Sequence, residues 1–465
     1  MVHLTTLSQI HRLEERYPFN EEELEILIRC HDHIISESTQ AEREDGDFLE
    51  KLAFSSPYTY FFLPGDEMRQ RVTWLEDHIL PEGFPNKLRS AISEDAFVTY
   101  ANEGQDRNLE RFLEGIADTG RRGPKEALRV MYEIIGDDQI DTAAHALMDL
   151  VFRLSVASDA FVVPNLDHSM VLTRLNNVDT KISPLVRSLK DYCLHRKWNI
   201  LSRKVFVQWA ESNVPLLSAP LSTFIHRLVF RDSPYPVARV PYRHPELDHE
   251  SAIFTAFDCP SLFSLSLTSR NFHGKMHRLY SSDSDGMSFS CLEYSLLGYD
   301  GPNLLVIKTQ TKEVIGAFAH GSWRDSIHYN SSSDYFLFQL QPRFSLLPAV
   351  CEDGRFMYLR SGDRTPLLQQ SIPKELPHGI GIGGSITSKP LLFIPDTLEH
   401  CAVGFMDLTH QVGCVLPDEH LQRFEIECLE VWGVGDDAVI QYALQKREEY
   451  RVYQADFLKN ERTDD

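Results

Sequence analysis

The residues PHGIGIGGSITSKPLLFI, 377–394, hold Gly379, Gly381 and Gly384 in the spacing G-x-G-x-x-G. Between a buried strand and a helix, that spacing lets a pyrophosphate sit on the helix N-terminus. Neither flank qualifies. Pro390 and the apolar run Leu391–Ile394 read as a strand, and QQSIPKELPHG before the glycines is polar with two prolines. The glycines, Gly383 included, are therefore expected to serve a backbone that needs positive φ or close approach to another strand. No nucleotide or other cofactor is expected.

Other arrangements that could do chemistry lack essential members. SSDSDGMSFSCLE can be set as a calcium loop with Gly286 sixth, Ser281 first, Asp283 third and Asp285 fifth. Leu292 then falls where a bidentate glutamate must stand. In EIIGDDQIDTAAHAL, with Ile140 eighth, Ile135 and Ala144 occupy ligand positions and can donate no carboxylate. His31 and His33 are two apart and would diverge on a helix. Ser322 lies near His320 and Asp325 but without the G-x-S-x-G elbow, and neighbours in sequence do not make a triad. The eight cysteines form no C-x-x-C pair. These features predict no catalytic constellation and no metal site.

The elements that would position any site fall into two groups. In the first, periodicity is helical. FNEEELEILIRCHDHI offers Asn20 as a cap with Glu23 three residues on, then Leu24, Leu27, Ile28 and His31 on one face. GPKEALRVMYEIIG places Pro124 at a helix start, with Leu128, Met131, Tyr132 and Ile135 as its buried stripe. Residues 156–230 continue mostly helical. Pro234, Pro236, Pro241 and Pro245 then mark a connector. Beyond it, short runs such as NLLVIKTQTKEVIGAFAH, SDYFLFQLQP, GRFMYLRSG and FEIECLEVWGVG read as strands of an antiparallel sandwich. From Asp437 the pattern is helical again, with Asp436 or Asp437 as cap.

The chain has 465 residues, 42% of them hydrophobic, enough for more than one core. Its formal net charge of −22, with Arg121, Arg122 and Lys125 among scattered basic residues, disfavours nucleic acid and anionic membrane as partners. No stretch is long and apolar enough to span a membrane. Val2 excludes N-myristoylation.

Ordered segments of the second half resemble the TLDc family. HRLYSSDSDGMSFSCL (Ser282, Gly286) is similar to its opening motif and PNLLVIKTQTKEVIGAFAHGSW (Gly316, Trp323) to its hairpin. DYFLFQLQP is similar to its Phe-Leu-Phe strand, HGIGIGGS to its glycine run, and FEIECLEVWGVG (Glu430, Trp432) to its closing strand. Asp285 stands where the family usually has His. The resemblance implies an α+β chain: a degenerate EF-hand-like helical domain at 1–155, a helical segment and connector at 156–249, a TLDc β-sandwich with flanking helices at 250–436, and a C-terminal helix at 437–465. It also implies a non-enzymatic adaptor, similar to the lysosome-associated members linked to TOR signalling and oxidative-stress resistance. Such an adaptor would be cytoplasmic, would bind peripheral subunits of the vacuolar proton-pumping V-ATPase, and would reach the lysosome or vacuole through a protein partner. Val439, Tyr442, Ala443 and Leu444 are the expected partner-binding face of the final helix. The alternatives are a calcium-responsive scaffold and a weak thiol antioxidant.

Overall fold

The computed structural model describes residues 7–41, 78–80, 105–135, 139–162, 168–195, 198–230, 242–254, 260–326, 328–329, 335–348, 357–361, 376–383, 390–404 and 422–461. The chain divides into two compact units, Met1–Ile182 with Leu189–Arg243, and Ser183–Ser188 with His244–Asp465. No described helix is long and apolar enough to cross a membrane.

The described part of the first unit is helical, and its local signals act as read. The helix Glu21–Ala41 opens on a reciprocal box. The Glu23 amide donates to Asn20 Oδ1 at 2.9 Å and the Asn20 amide to Glu23 Oε2 at 3.2 Å. Leu24, Leu27, Ile28 and His31 are buried, His31 against the ring of Phe112. The side chain of His33 lies outside the described residues. The helix Pro124–Ile135 begins at its proline, but its buried face is Ala127, Leu128, Val130, Met131 and Ile134. Tyr132 sits at the margin, donating its hydroxyl to the Leu201 carbonyl at 2.7 Å. Gln139, just before the helix Ile140–Val162, and Ile200, between the helices Val178–His195 and Arg203–Asn213, form an antiparallel bridge.

The second unit is a two-sheet sandwich. Its strands are β1 (Glu246–Leu247), β2 (Lys275–Ser281), β3 (Pro302–Thr309), β4 (Val314–His320), β5 (Tyr335–Gln341), β6 (Ser345–Pro348), β7 (Met357–Arg360), β8 (Gly379–Ile382), β9 (Leu392–Pro395), β10 (Cys401–Val403), β11 (Gln422–Phe424) and β12 (Ile426–Gly433). One sheet has the order β1-β2-β12-β3-β4-β5-β6, the other β11-β10-β9-β8-β7. Pairing is antiparallel apart from β1 with β2. Leu305, Ile307, Ala317, Leu337, Leu429 and Val431 of the first sheet and Leu359, Ile380, Ile382, Leu392 and Ile394 of the second face one common core. The alternating run FEIECLEVWG serves both sheets. Phe424 pairs with Cys401 in the smaller sheet, the chain crosses at Glu425, and from Ile426 it runs between β2 and β3 of the larger.

Two short helices, Pro260–Ser266 and Phe289–Leu296, accompany the strands of the second unit. The final helix, Asp437–Glu461, starts as expected, with the Asp436 carbonyl accepting the Ile440 amide at 3.0 Å.

Candidate functional site

The motif residues turn out to be the joinery of the sandwich. Glu430 lies on β12, fully buried on the outer face of the larger sheet. Its carboxylate accepts from Ser251 Oγ at 2.6 Å, the Ala252 amide at 2.8 Å and the Trp432 indole at 3.0 Å. Ser251 Oγ in turn accepts the Phe254 amide at 2.7 Å, and Phe254 packs on Trp432. The Glu-Val-Trp strand thus pins the entering chain onto the sheet with a satisfied buried carboxylate. The Trp323 indole donates to Asn303 Oδ1 at 2.8 Å, and the Asn303 amide reaches the carbonyls of Gly301 and Gly321, each at 3.0 Å. Ser282 Oγ accepts the Leu429 amide at 3.0 Å.

The glycines make room for neighbours. A Cβ on Gly316 would overlap the Leu305 carbonyl and press on the Phe338 ring. On β8, a Cβ on Gly379 would strike the Ile394 carbonyl, and one on Gly381 would enter the Tyr358 ring that lies across it. Gly379–Ile382 is an interior strand, paired with Met357–Arg360 on one side and Leu392–Pro395 on the other. Gly383 has φ of +75°, and Gly384 lies outside the described residues.

The candidate chemical groups are engaged elsewhere. Asp325 accepts the amide and hydroxyl of Ser361, the latter at 2.7 Å. Asp285 turns back to accept the Ser281 amide at 2.8 Å, while Leu292 enters the core. Burial pushes the thiols of Cys401 and Cys428 up to about 12 and that of Cys30 to about 11, so thiolate is scarce at neutral pH. Asp248 carries His277 Nδ1 at 2.5 Å and His249 Nδ1 at 2.8 Å. Burial raises its pKa, but the His249 and Arg278-amide hydrogen bonds and the charge of His277 outweigh this and hold it below the usual range. Among the described residues no group of three His, Cys, Asp or Glu side chains is placed to hold a metal.

The four residues proposed as one face of the final helix divide between two. Ala443 is fully buried against Gly301 and Leu444 packs on the core, so neither is open to a partner. Val439 and Tyr442 are 40% and 55% exposed. Helical geometry explains the split, since positions 442, 443 and 444 point about 100° apart. Tyr453, 66% exposed, extends the outward face, giving Val439, Tyr442, Lys446, Glu449 and Tyr453 at alternating steps of three and four. Lys446 lies over the Tyr442 ring and pairs with Glu449 at 2.8 Å. The 3-4-3-4 spacing was present in the sequence, but it emerges only when followed to Tyr453.

The inward face rests on Gly298 and Gly301. Gly298 has φ of +80°, and a Cβ there would lie 2.6 Å from Tyr450 Cβ; one on Gly301 would lie 2.8 Å from Ala443 Cβ. Beyond these contacts the helix and the helix Phe289–Leu296 bound a cleft of about 1070 Å³, into which Arg447, Tyr450 and Arg451 project. The sequence reading missed these arginines, one helical turn apart, because nothing local marks what they face.

Comparison with known proteins places the fold. The family model described as TLDc domain matches residues 247–435. The mTOR-associated protein MEAK7 of Xenopus laevis is 30% identical over 174 residues, 35% of this chain and 32% of that protein. Its Gallus gallus counterpart is 25% identical over 244 residues, 50% and 48% of the two chains. Nuclear receptor coactivator 7 of Gallus gallus is 32% identical over 124 residues, 26% of this chain and 13% of that one. The matches span between about a third and a half of the MEAK7 proteins. The chain carries a TLDc domain at residues 247–435.

Proposed function

We propose that this TLDc-domain chain is a non-enzymatic adaptor in TOR-associated signalling, acting through protein contacts made by its final helix. The observation that carries the reading is the outward stripe Val439–Tyr442–Tyr453 on a helix whose opposite face is already packed on the sandwich. Exposed tyrosines at helical spacing are the anchors that grooves in partner proteins accept. The similarity to mTOR-associated proteins supports the signalling context. The engaged Asp325 and the buried thiols of Cys30, Cys401 and Cys428 favour a scaffold over a hydrolase or a thiol antioxidant.

The partner we assign is the peripheral part of the vacuolar proton-pumping ATPase, with lysosomal or vacuolar recruitment through it. The sandwich holds one subunit and the helix reaches another. The effect on the pump then depends on how affinity differs between its assembled and disassembled states. Capture from lysosomal or vacuolar extracts tests this. The full chain is expected to retain ATPase subunits, and Tyr442→Asp with Tyr453→Asp to retain roughly tenfold less or worse. Absence of those subunits from the wild-type capture would reject the assignment. The calcium-scaffold reading draws on the antiparallel bridge between Gln139 and Ile200. It requires saturable heat on calcium titration of the full chain.

A further inference from the structure

The cleft beside the final helix contains a charge arrangement that the adaptor reading leaves unused. Arg447 and Arg451 are one turn apart on the same helix and both line it. Among the described residues Arg447 makes no ion pair; its half-buried guanidinium donates to the Ser295 carbonyl at 3.3 Å. Arg451 lies over the Tyr294 ring, 4.1 Å from the centroid. Its Nη2 reaches the Tyr294 carbonyl at 3.5 Å and its Nη1 approaches the exposed Glu448 at 3.9 Å, while Nε is buried without a hydrogen-bond partner. Two guanidinium groups thus repel one another in a partly desolvated place. Burial and the neighbouring Arg451 together lower the pKa of Arg447. Such a pair is unfavourable unless an anion completes it.

We propose that this cleft binds a single phosphate monoester, with Arg447 and Arg451 clamping the phosphoryl group. A phosphate monoester carries about −1.5 to −2 charges and three acceptor oxygens at neutral pH, which matches two arginine forks. One carboxylate would neutralise only one of them. Asp285, the buried Glu293 and Asp396 also line the cleft, and their carboxylates would repel a ligand with further phosphates. The whole chain's formal charge of −22 opposes anions at long range, so binding rests on the local arginine pair, and contacts to those charges weaken with salt. Ser290 is exposed at the cleft and free of the core, so it can be altered without disturbing the helix seat. The proposal is independent of the ATPase assignment.

Calorimetric titration of the full chain tests it, with inorganic phosphate, O-phosphoserine and serine at matched ionic strength in chloride. The expected result is saturable one-to-one binding of inorganic phosphate and O-phosphoserine and none of serine. Arg447→Gln should weaken both roughly tenfold or more. Ser290→Glu, which adds a carboxylate at the opening, should weaken both roughly fivefold. If Arg447→Gln does not fold, Ser290→Glu decides alone. The proposal is overturned if phosphate does not bind saturably, if inorganic phosphate binds but O-phosphoserine does not, if serine binds as well as O-phosphoserine, or if Ser290→Glu binds like the wild type.

Discussion

The two sheets of the sandwich share a core but reach stability by different means. In the larger sheet β3, β4 and β12 run seven or eight residues and are buried on both faces. The outer face is sealed by rings, Phe318 stacked on Phe336 at 5.0 Å and Phe272 edge-on to Phe318 at 5.5 Å, and by the polar clip at Glu430. In the smaller sheet the strands are three or four residues, and β8 is half glycine. There Tyr358 covers Gly381 and meets Tyr329 edge-on at 5.1 Å, so an aromatic ring supplies the surface that glycine lacks. One sheet is held by length and interior polar bonding, the other by close backbone approach under a ring.

That contrast can be broken at its strongest point first. Glu430→Ala removes the acceptor for Ser251, Ala252 and Trp432 at once and should destabilise the second unit by about 3–5 kcal/mol in urea unfolding. Little change would show that the clip is incidental to the larger sheet. The cover over that sheet also titrates. Burial lowers the pKa of His273 to about 4 while Nε2 donates to the Ser266 carbonyl at 2.7 Å. Because the folded value lies below the unfolded one, its contribution is complete above pH 6.5 and declines as the pH falls toward about 4. Wild-type stability should fall by up to about 3 kcal/mol across that window, and His273→Gln should flatten the slope.

For the smaller sheet, Gly381→Ala forces Tyr358 aside and should cost about 1–3 kcal/mol by the same urea measurement. An effect as large as that of Glu430→Ala would erase the distinction between the sheets. Smallest is Gly298→Ala, which strains a left-handed backbone by roughly 1–2 kcal/mol and lifts Tyr450. Its signature should be faster amide exchange confined to residues 437–461.

What the sequence revealed follows the range of the interactions. The Asn20–Glu23 box involves three residues' separation and was readable; so was the start of the final helix. The stripe on Pro124–Ile135 was displaced, to Ala127, Val130 and Ile134 and away from Tyr132 and Ile135, because which flank of a helix is buried depends on its neighbours. The glycine run could be separated from a nucleotide loop by its flanks, but Tyr358 over Gly381 comes from a distant strand. Ala443 and Leu444 looked equivalent to Tyr442 until the sandwich supplied Gly301. The arginine cleft arises from helices some 150 residues apart in sequence and leaves no local trace.

The crossing at Glu425 bears on how the domain comes apart. Phe424 and Ile426 belong to different sheets yet are separated by one residue, and both lie in the common core. Peeling β11 from its neighbour drags on β12, and β12 is hydrogen-bonded on both edges. Neither layer can therefore melt while the other stays intact. The sandwich should unfold as one cooperative block, with a single denaturation midpoint whether the probe is Tyr358 in the smaller sheet or Trp432 in the larger.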